Sequence, residues 1–142
     1  MPSRQAVGKL RDVPAGAEVV MMAHIRVATV SQDPASLSND WVDILRRDLG
    51  FEGVVVTDDL SMLQDSGEPE YQDPAATMVA ALVAGNDLLL LAVDPSKASG
   101  YAVYGEVLDA LVASVESGEV SLEQVERSLE RVLALRYQLG HP

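Results

Sequence analysis

The chain has 142 residues, no cysteine, and 10 Lys and Arg against 22 Asp and Glu, which gives a formal net charge of −12. This length fits one domain over residues 1–142, and an apolar fraction of 48% is enough for a packed core. The negative charge repels phosphates and anionic lipid headgroups, which argues against nucleic acid and membrane surfaces as partners, while the lack of cysteine excludes disulfides, zinc–thiolate sites and a cysteine nucleophile.

The sequence carries no pattern for membrane insertion or export. Its apolar runs, such as residues 88–93, are far shorter than the roughly 20 residues of a membrane-spanning helix. The first residues are not followed by the apolar core of a signal peptide. We therefore expect a soluble chain without an export signal, and the sequence leaves its compartment undetermined.

The first half of the chain predicts two buried strands joined by a helix. Residues 1–18 mix glycine, proline and charged residues and predict an irregular lead-in. Residues 19–25 are almost continuously apolar, which is typical of a strand covered on both faces. After a loop, residues 38–50 combine an N-capping serine, apolar residues at helical spacing and a final glycine, and Trp41 on the apolar face is expected in the core rather than on a sugar-stacking platform. Residues 53–57 predict the second buried strand.

The second half predicts three helices and a further strand. A polar, acidic loop over residues 64–72 precedes a helix over residues 74–84, which has an aspartate N-cap and a proline at its first position. Residues 87–93 predict a third buried strand, and Asp87 at its start lies at the end opposite to catalytic sites in parallel sheets. Two amphipathic helices complete the chain, over residues 101–117 and 121–139, and the second opens with a capping box.

The order of these elements predicts the fold class. Apolar strands separated by helices require parallel pairing and right-handed crossovers, so we expect an α/β fold. In such folds, ligand-binding and catalytic groups lie at the carboxyl ends of the strands. A functional site is therefore expected where the first and second strands end.

Charged and ionisable side chains follow both of these strand ends. Asp58 and Asp59 come directly after the second strand, where a buried apolar run has no structural need for a carboxylate pair, although either could instead cap the next helix. His24 ends the first strand and could be a site residue or a hydrogen-bonded structural histidine. Asp58 and Asp59 could also form the acidic pocket of a phosphoacceptor receiver domain. That pocket needs a lysine at the end of a strand, and neither Lys9 nor Lys97 lies at the end of a predicted strand.

Several longer motifs occur in order along the chain. They are Ala23-His24-Ile25, Asp33-Pro34-Ala35-Ser36-Leu37-Ser38, Ile44-Leu45-Arg46, Leu49-Gly50-Phe51-Glu52-Gly53 followed by Val54-Val55-Val56-Thr57-Asp58-Asp59-Leu60-Ser61-Met62, and Ala84-Gly85-Asn86-Asp87-Leu88-Leu89-Leu90-Leu91. Together they resemble the family-three glycoside hydrolases, and within that family the bacterial β-N-acetylhexosaminidases that act on peptidoglycan fragments. The resemblance covers residues 19–139, nearly the whole chain.

This resemblance implies a fold, a reaction and a set of site residues. The fold is a (β/α)8 TIM barrel, of which the three predicted strands would be strands six to eight. The aspartate after Ser or Thr at the end of the seventh strand is the family's nucleophile, which makes Asp58 the expected catalytic residue. His24, Asp59 and Met62 are expected to bind substrate, with Asp59 in a supporting role. The implied reaction is retaining hydrolysis of a terminal β-linked N-acetylglucosamine, with a small carbohydrate as substrate and no metal or organic cofactor.

The sequence departs from the family in its proton donor and its length. In these hexosaminidases a His-Asp pair near a Lys-His-Phe-Pro-Gly-His motif supplies the acid and base, whereas this chain lacks that motif and its histidines are His24 and His141. A full barrel takes about 250 residues and eight strands. We therefore expect a truncated glycosidase, inactive alone, whose open sheet edge favours a complementing chain or a homo-oligomer. The alternative is a non-catalytic part-barrel module for interaction or self-association, using the inward-facing Val54, Val56, Leu88 and Leu90.

Overall fold

The computed structural model describes residues 16–94 and 101–140. Within these ranges two strands, β1 (Val19–Met22) and β2 (Val54–Thr57), pair in parallel, as predicted. The helices are α1 (Asn39–Asp43), α2 (Ser61–Asp65), α3 (Pro74–Val83), α4 (Ala102–Glu116) and α5 (Leu122–Gln138). None of these described helices is long enough and apolar enough to cross a membrane. Most of the predicted lead-in, residues 1–15, lies outside the described residues, and so do Lys9, Lys97 and His141.

The crossover from β1 to β2 is only partly α-helical. A 3-10 turn at Ala35–Leu37 precedes α1 and a π-helical turn at Ile44–Asp48 follows it, so the single helix predicted over residues 38–50 is instead α1 and a wider turn. The turn ends at Gly50, whose φ of 64° suits glycine. The buried core that this crossover forms with the strands consists of Met22, Val42, Leu45 and Val55. Trp41 packs against this cluster, which confirms its predicted place in the core.

The start of the parallel pair brings two backbones into close contact. Val19 pairs with Val54, and Val54 N donates to the carbonyl oxygen of Glu18 at 2.9 Å. A Cβ atom at Gly53 would lie 2.4 Å from that same oxygen. The residue before β2 must therefore be glycine if this pairing is to form.

The third predicted strand is not a regular strand, so that prediction is wrong. Residues 87–93, here called the third segment, run beside β2 but form only an isolated parallel bridge with it, between Val56 and Leu88. The side chains of the segment still alternate, because Leu89 and Leu91 pack against the helix core. The structure therefore has an α/β fold with two parallel strands, and it does not confirm strands six to eight of a barrel.

Side chains at the end of β2 explain why the ladder stops. Leu90 N donates to the hydroxyl oxygen of Thr57 at 3.0 Å, and Ala92 N donates to the carboxylate oxygen Oδ1 of Asp59 at 2.9 Å. In a regular ladder, backbone carbonyls would accept these bonds. Beyond Leu88 the third segment is thus held by these two side-chain bonds and by one backbone bond, from Leu60 N to the carbonyl oxygen of Leu90 at 2.9 Å.

A second core cluster lies among α2, α3 and α4. Its buried members are Leu60, Leu63, Tyr71, Met78, Ala81 and Val107. The predicted capping of α3 is confirmed, because Oδ1 of Asp73 accepts hydrogen bonds from Ala75 N and Ala76 N at 2.9 and 3.2 Å. This cluster supports the third segment from the helix side.

Asp87 is buried at the amino-terminal edge of the sheet, opposite the predicted site. Its side chain is 0% exposed. Its carboxylate accepts hydrogen bonds from Arg46 Nη2 at 2.5 Å, Val55 N at 2.8 Å, Ser128 Oγ at 2.7 Å and Arg131 Nη1 at 2.9 Å. These donors come from the turn after α1, from β2 and from α5, so Asp87 joins three elements of the fold. Burial lowers the pKa of Arg46, and the ion pair with Asp87 opposes that shift.

One face of the sheet is largely uncovered. We call this surface the open face and define it by side chains that are 40–57% exposed, namely Val19, Met21, Leu88 and Leu90. The prediction that inward-facing side chains lack neighbours is thus confirmed for Leu88 and Leu90. Val56 is half-buried. The prediction is wrong for Val54, which is 1% exposed because α5 packs against this end of β2.

Candidate active site

Asp58 is the first residue after β2, at the carboxyl edge of the sheet. Its N–H donates to the carbonyl oxygen of Met22 at 2.9 Å, so its backbone remains attached to β1. Because side chains alternate along a strand, Asp58 lies on the same side as Val56, the side of the open face. Its Oδ1 accepts from Asp59 N at 2.8 Å. Within residues 16–94 and 101–140 this is the one hydrogen bond to the carboxylate, which leaves Oδ2 available to a ligand.

Asp59 differs from Asp58 in that protein donors surround its carboxylate. Oδ1 accepts from Ser61 N at 3.0 Å and from Ala92 N at 2.9 Å, and Oδ2 accepts from Ser61 Oγ at 2.7 Å. Burial acts to raise the pKa of Asp59, but these hydrogen bonds outweigh it and hold the pKa below its ordinary value. The bonds to Ser61 close a local turn before α2. The helix has Leu60 as its N-cap and no side-chain capping bond, so the alternative that Asp58 or Asp59 caps it is wrong.

His24 follows β1 and bridges two segments of the chain. Its Nε2 lies 2.8 Å from the carbonyl oxygen of Asp59, and its Nδ1 lies 2.6 Å from Ser36 Oγ. A carbonyl oxygen can only accept, so Nε2–H donates a hydrogen bond to the Asp59 carbonyl. In the tautomer with its proton on Nε2, Nδ1 accepts a hydrogen bond from the Ser36 hydroxyl. The reading of His24 as a hydrogen-bonded histidine at a strand end is therefore confirmed.

Two buried polar residues, Ser36 and Asn86, are linked to His24 by hydrogen bonds. Ser36 and Asn86 are both 0% exposed, and the Asn86 side chain donates to the carbonyl oxygens of Ser36 at 2.9 Å and Ala81 at 2.7 Å. The sequence offered no separate signal for either residue, although both lie inside the motifs quoted above. Their burial and hydrogen bonding show that these motifs position the residues around Asp58.

Met62 lies in the first turn of α2, next to the candidate carboxylates in sequence. Its side chain is 54% exposed, and its N–H donates to the carbonyl oxygen of Asp59 at 3.0 Å. That oxygen is also the acceptor of the His24 bond. Met62 therefore offers an exposed apolar side chain close to the carboxyl edge of the sheet.

A charged cluster that no sequence pattern indicated lies around Arg26. Arg26 donates to both carboxylate oxygens of Glu68 at 3.1 and 2.6 Å, to Glu70 at 3.2 Å and to the hydroxyl of Tyr71 at 2.7 Å, and its guanidinium lies 5.5 Å from the centre of the Tyr71 ring. The hydrogen bond to Glu68 raises the pKa of Arg26, and the same bond lowers the pKa of Glu68. The cluster thus connects the loop after β1 to the acidic loop over residues 64–72.

Known sequences resemble this chain along most of its length. Residues 10–135 match the model of the Glycosyl hydrolase family 3 N terminal domain. The chain is 38% identical over 116 residues to a Beta-hexosaminidase of Bordetella parapertussis, which covers 81% of this chain and 30% of that protein. It is 40% identical over 84 residues to a Beta-hexosaminidase of Methylobacillus flagellatus, which covers 58% of this chain and 23% of that protein. The chain thus spans less than a third of the length of these relatives.

Solved structures give the same result. A glycoside hydrolase family 3 beta-N-acetylglucosaminidase from Paenibacillus sp. str. FPU-7 superposes with a TM-score of 0.73 at 36% identity, covering 94% of this chain and 23% of that chain. The beta-N-acetylglucosaminidase from Thermotoga maritima superposes with a TM-score of 0.67 at 30% identity, covering 82% and 24%. Because the family model covers most of the chain and the structural likeness is as extensive, the chain belongs to glycosyl hydrolase family 3.

Proposed function

We propose that this chain carries the nucleophile of a retaining β-N-acetylglucosaminidase and that Asp58 is that nucleophile. The observation that supports the proposal best is the contrast between the two adjacent carboxylates: Asp59 is occupied by protein donors, whereas Asp58 keeps an oxygen available at the carboxyl edge of the sheet. The names of the relatives, beta-hexosaminidase and beta-N-acetylglucosaminidase, agree with this reaction. The proposed substrate is a terminal β-linked N-acetylglucosamine on a peptidoglycan-type fragment.

The geometry around Asp58 suits nucleophilic attack on a sugar. In a retaining glycosidase, one carboxylate attacks the anomeric carbon, forms a glycosyl-enzyme, and is released when water attacks the same carbon. The backbone of Asp58 is held by the bond to Met22, and its Oδ1 is held by Asp59 N, so Oδ2 points from a fixed position. Such fixed placement provides much of the rate acceleration in a displacement reaction. Met62, exposed beside the turn, is proposed to contact the sugar or its aglycone.

The proton donor is proposed to come from outside residues 1–142. Hydrolysis of an unactivated glycoside needs an acid for the leaving oxygen. Both ring nitrogens of His24 are engaged by Ser36 and Asp59, which makes this histidine a poor donor to substrate. The other histidine, His141, lies outside the described residues. We therefore propose that the chain is inactive alone and that the open face packs against the rest of a barrel, supplied by further polypeptide.

The test of catalytic function is a chimera. The 116 matched residues of the Bordetella parapertussis Beta-hexosaminidase are replaced by the corresponding residues of this chain, and hydrolysis of an aryl N-acetyl-β-glucosaminide is measured. Asp58→Asn is expected to lower kcat by at least about 1,000-fold, because it removes the nucleophile. Asp109→Asn, the same change at an exposed position of α4, is the matched control and should leave kcat unchanged. An active chimera that keeps its rate with Asp58→Asn would refute the assignment.

Two further measurements address the finer parts of the proposal. The purified chain 1–142 should show no turnover of the aryl glycoside. If it does show turnover and Asp58→Asn abolishes it, the proposal that the chain is inactive alone is refuted, whereas the assignment of Asp58 as the nucleophile is supported. Release of N-acetylglucosamine from a peptidoglycan fragment by the chimera, compared with release from a chitin disaccharide, tests the substrate class.

A second candidate is a non-catalytic module for interaction or self-association, and the open face favours it. Four apolar side chains on one sheet surface, each at least 40% exposed, are unusual for a monomer. Light scattering at several concentrations tests the hypothesis of a self-associating module, because a molar mass that increases with concentration indicates self-association. A monomer at every concentration would count against self-association.

A further inference from the structure

The residues on either side of Asp58 are both attached to the third segment by their side chains. Thr57 Oγ1 accepts from Leu90 N, and Asp59 Oδ1 accepts from Ala92 N. Asp58 itself is attached to the other neighbouring strand through the bond from its N–H to Met22. The chain at Asp58 is therefore held from both sides, and among the described residues the Asp58 side chain is the one of the three that forms no hydrogen bond with the third segment.

His24 holds the same turn from a third direction. Its bond to the carbonyl oxygen of Asp59 fixes the peptide that follows Asp59, and Ser36 fixes the ring from behind. Ser36 is in turn held through its carbonyl by the fully buried Asn86. A buried chain of hydrogen bonds thus runs from the helix core to the turn that carries Asp58.

Neither Asp59 nor His24 has much capacity left for a sugar. The carboxylate of Asp59 already accepts three hydrogen bonds, and the two nitrogens of His24 are both used. A sugar hydroxyl could bind either residue only by displacing a bond within the protein, which would leave a partly buried donor without a partner. Substrate binding by these two residues, as predicted from the sequence, is therefore disfavoured by their bonding.

We propose that Asp59 and His24 are positioning residues, which hold the turn that aims Asp58 at the anomeric carbon and do not contact the sugar. This inference rests on the proposed role of Asp58 as the nucleophile. It assigns to Asp59 the function of an acceptor for Ala92 and Ser61, which requires an oxygen in the right place but not a negative charge. It assigns to His24 the function of a donor to the Asp59 carbonyl oxygen.

The distinction can be tested because asparagine retains the needed oxygen. In Asp59→Asn, the amide oxygen can accept from Ala92 N and Ser61 N, and the amide nitrogen can donate to Ser61 Oγ, which accepts as well as donates. In Asp59→Ala, all three bonds are lost. A positioning residue is therefore rescued by asparagine, whereas a residue that acts on substrate through its charge is not.

The experiment compares these variants in the chimera. Asp59→Asn should keep most of kcat, whereas Asp59→Ala should lower kcat on the order of 100-fold with little change in KM, because misplacement of the nucleophile affects the chemical step. His24→Gln, whose amide nitrogen can donate to the Asp59 carbonyl, should retain more of kcat than His24→Leu. Equal losses for Asp59→Asn and Asp59→Ala, or losses that fall on KM alone, would overturn the proposal.

A structural measurement on the full chain 1–142 covers the case in which Asp59→Ala does not fold. In the wild type, nitrogen NMR of His24 should show the neutral ring protonated at Nε2, and Asp59→Asn should leave the amide signals of Leu60 and Ala92 close to their wild-type positions. A ring protonated at Nδ1, or displaced amide signals in Asp59→Asn, would contradict the inference. Activity that survives Asp58→Asn would instead refute the proposed function, so the two failures are distinct.

Discussion

Replacement of Asp87 by asparagine is expected to destabilise the fold more than any other conservative change of an acidic side chain described above. The substitution keeps the shape of the side chain but removes its charge, and it turns an amide NH2 group towards donors. Asp87 accepts from two guanidinium groups, one hydroxyl and one backbone N–H, and its side chain is fully buried. The change therefore leaves Arg46 and Arg131 without their shared counter-ion.

The magnitude follows from the burial of the partners. Removal of one partner from a buried ion pair costs about 3–5 kcal/mol, because the remaining charge is buried without compensation. The side chains of Arg46 and Arg131 are 16% and 28% exposed, so water compensates them in part, and we expect about 3 kcal/mol. With a urea dependence of about 1–3 kcal/mol per molar, the unfolding midpoint should fall by about 1–3 M.

Urea unfolding followed by fluorescence measures this effect, because the chain has a single tryptophan, Trp41, which packs against the core. The matched control is Asp43→Asn, which breaks the ion pair with Arg47 one helical turn away, between side chains that are 46% and 76% exposed. That exposed pair should contribute less than about 0.5 kcal/mol. A loss below about 1 kcal/mol for Asp87→Asn, or equal losses for the two variants, would refute the role of Asp87 as a structural centre.

Three further predictions concern other parts of the fold. Gly53→Ala should lower the free energy of unfolding by about 1–3 kcal/mol, because its Cβ would lie 2.4 Å from the Glu18 carbonyl oxygen. Gly105→Ala, with open space around it in α4, should raise the free energy of unfolding by about 0.5–1 kcal/mol. Urea unfolding measures the sign of both changes. Arg26→Gln should accelerate limited proteolysis near Glu68 but leave the unfolding midpoint almost unchanged, because the ion pairs with Glu68 and Glu70 are exposed. Unchanged proteolysis would contradict this. Folding lowers the pKa of Asp59 below its ordinary value of 3.8, so the wild type should be more stable than Asp59→Asn at neutral pH. This difference in the free energy of unfolding should disappear as the pH falls below 3.8 and through the folded pKa. A difference that does not change with pH would contradict the hydrogen bonds assigned to Asp59.

Local patterns were sufficient to predict most of the elements. Apolar runs predicted β1 and β2, and capping residues predicted the starts of α3 and α5 to within a residue. The capping box of α5 was only half right: Ser121 Oγ accepts from Gln124 N at 3.1 Å, but the Gln124 side chain donates to the carbonyl oxygen of Leu82 at 2.7 Å instead of returning to the helix start. A local rule gave the first bond, and tertiary packing decided the second.

The third strand, the Arg26 cluster and the partner of His24 could not be predicted because each depends on bonding between residues that are not adjacent in sequence. The third strand fails because Thr57 and Asp59 accept from residues 33 positions away, and no periodicity within the segment encodes that exchange. The Arg26 cluster joins residues 42–45 positions apart, and each of its loops looks polar and unremarkable by itself. His24 was recognised as important, but its partner Ser36 could be named only from coordinates.

The number of hydrogen bonds that each carboxylate accepts distinguishes Asp58, Asp59 and Asp87. An ionised carboxylate offers about four acceptor positions. Asp87 accepts four bonds within the protein, Asp59 accepts three, and Asp58 accepts one among the described residues. A carboxylate with all positions filled is a poor nucleophile because attack would require the loss of those bonds. The same count agrees with a structural role for Asp87 and supports the proposals that Asp59 positions the turn and that Asp58 is the nucleophile. We therefore expect Asp58 to be the carboxylate whose conversion to asparagine costs the fold least and the reaction most.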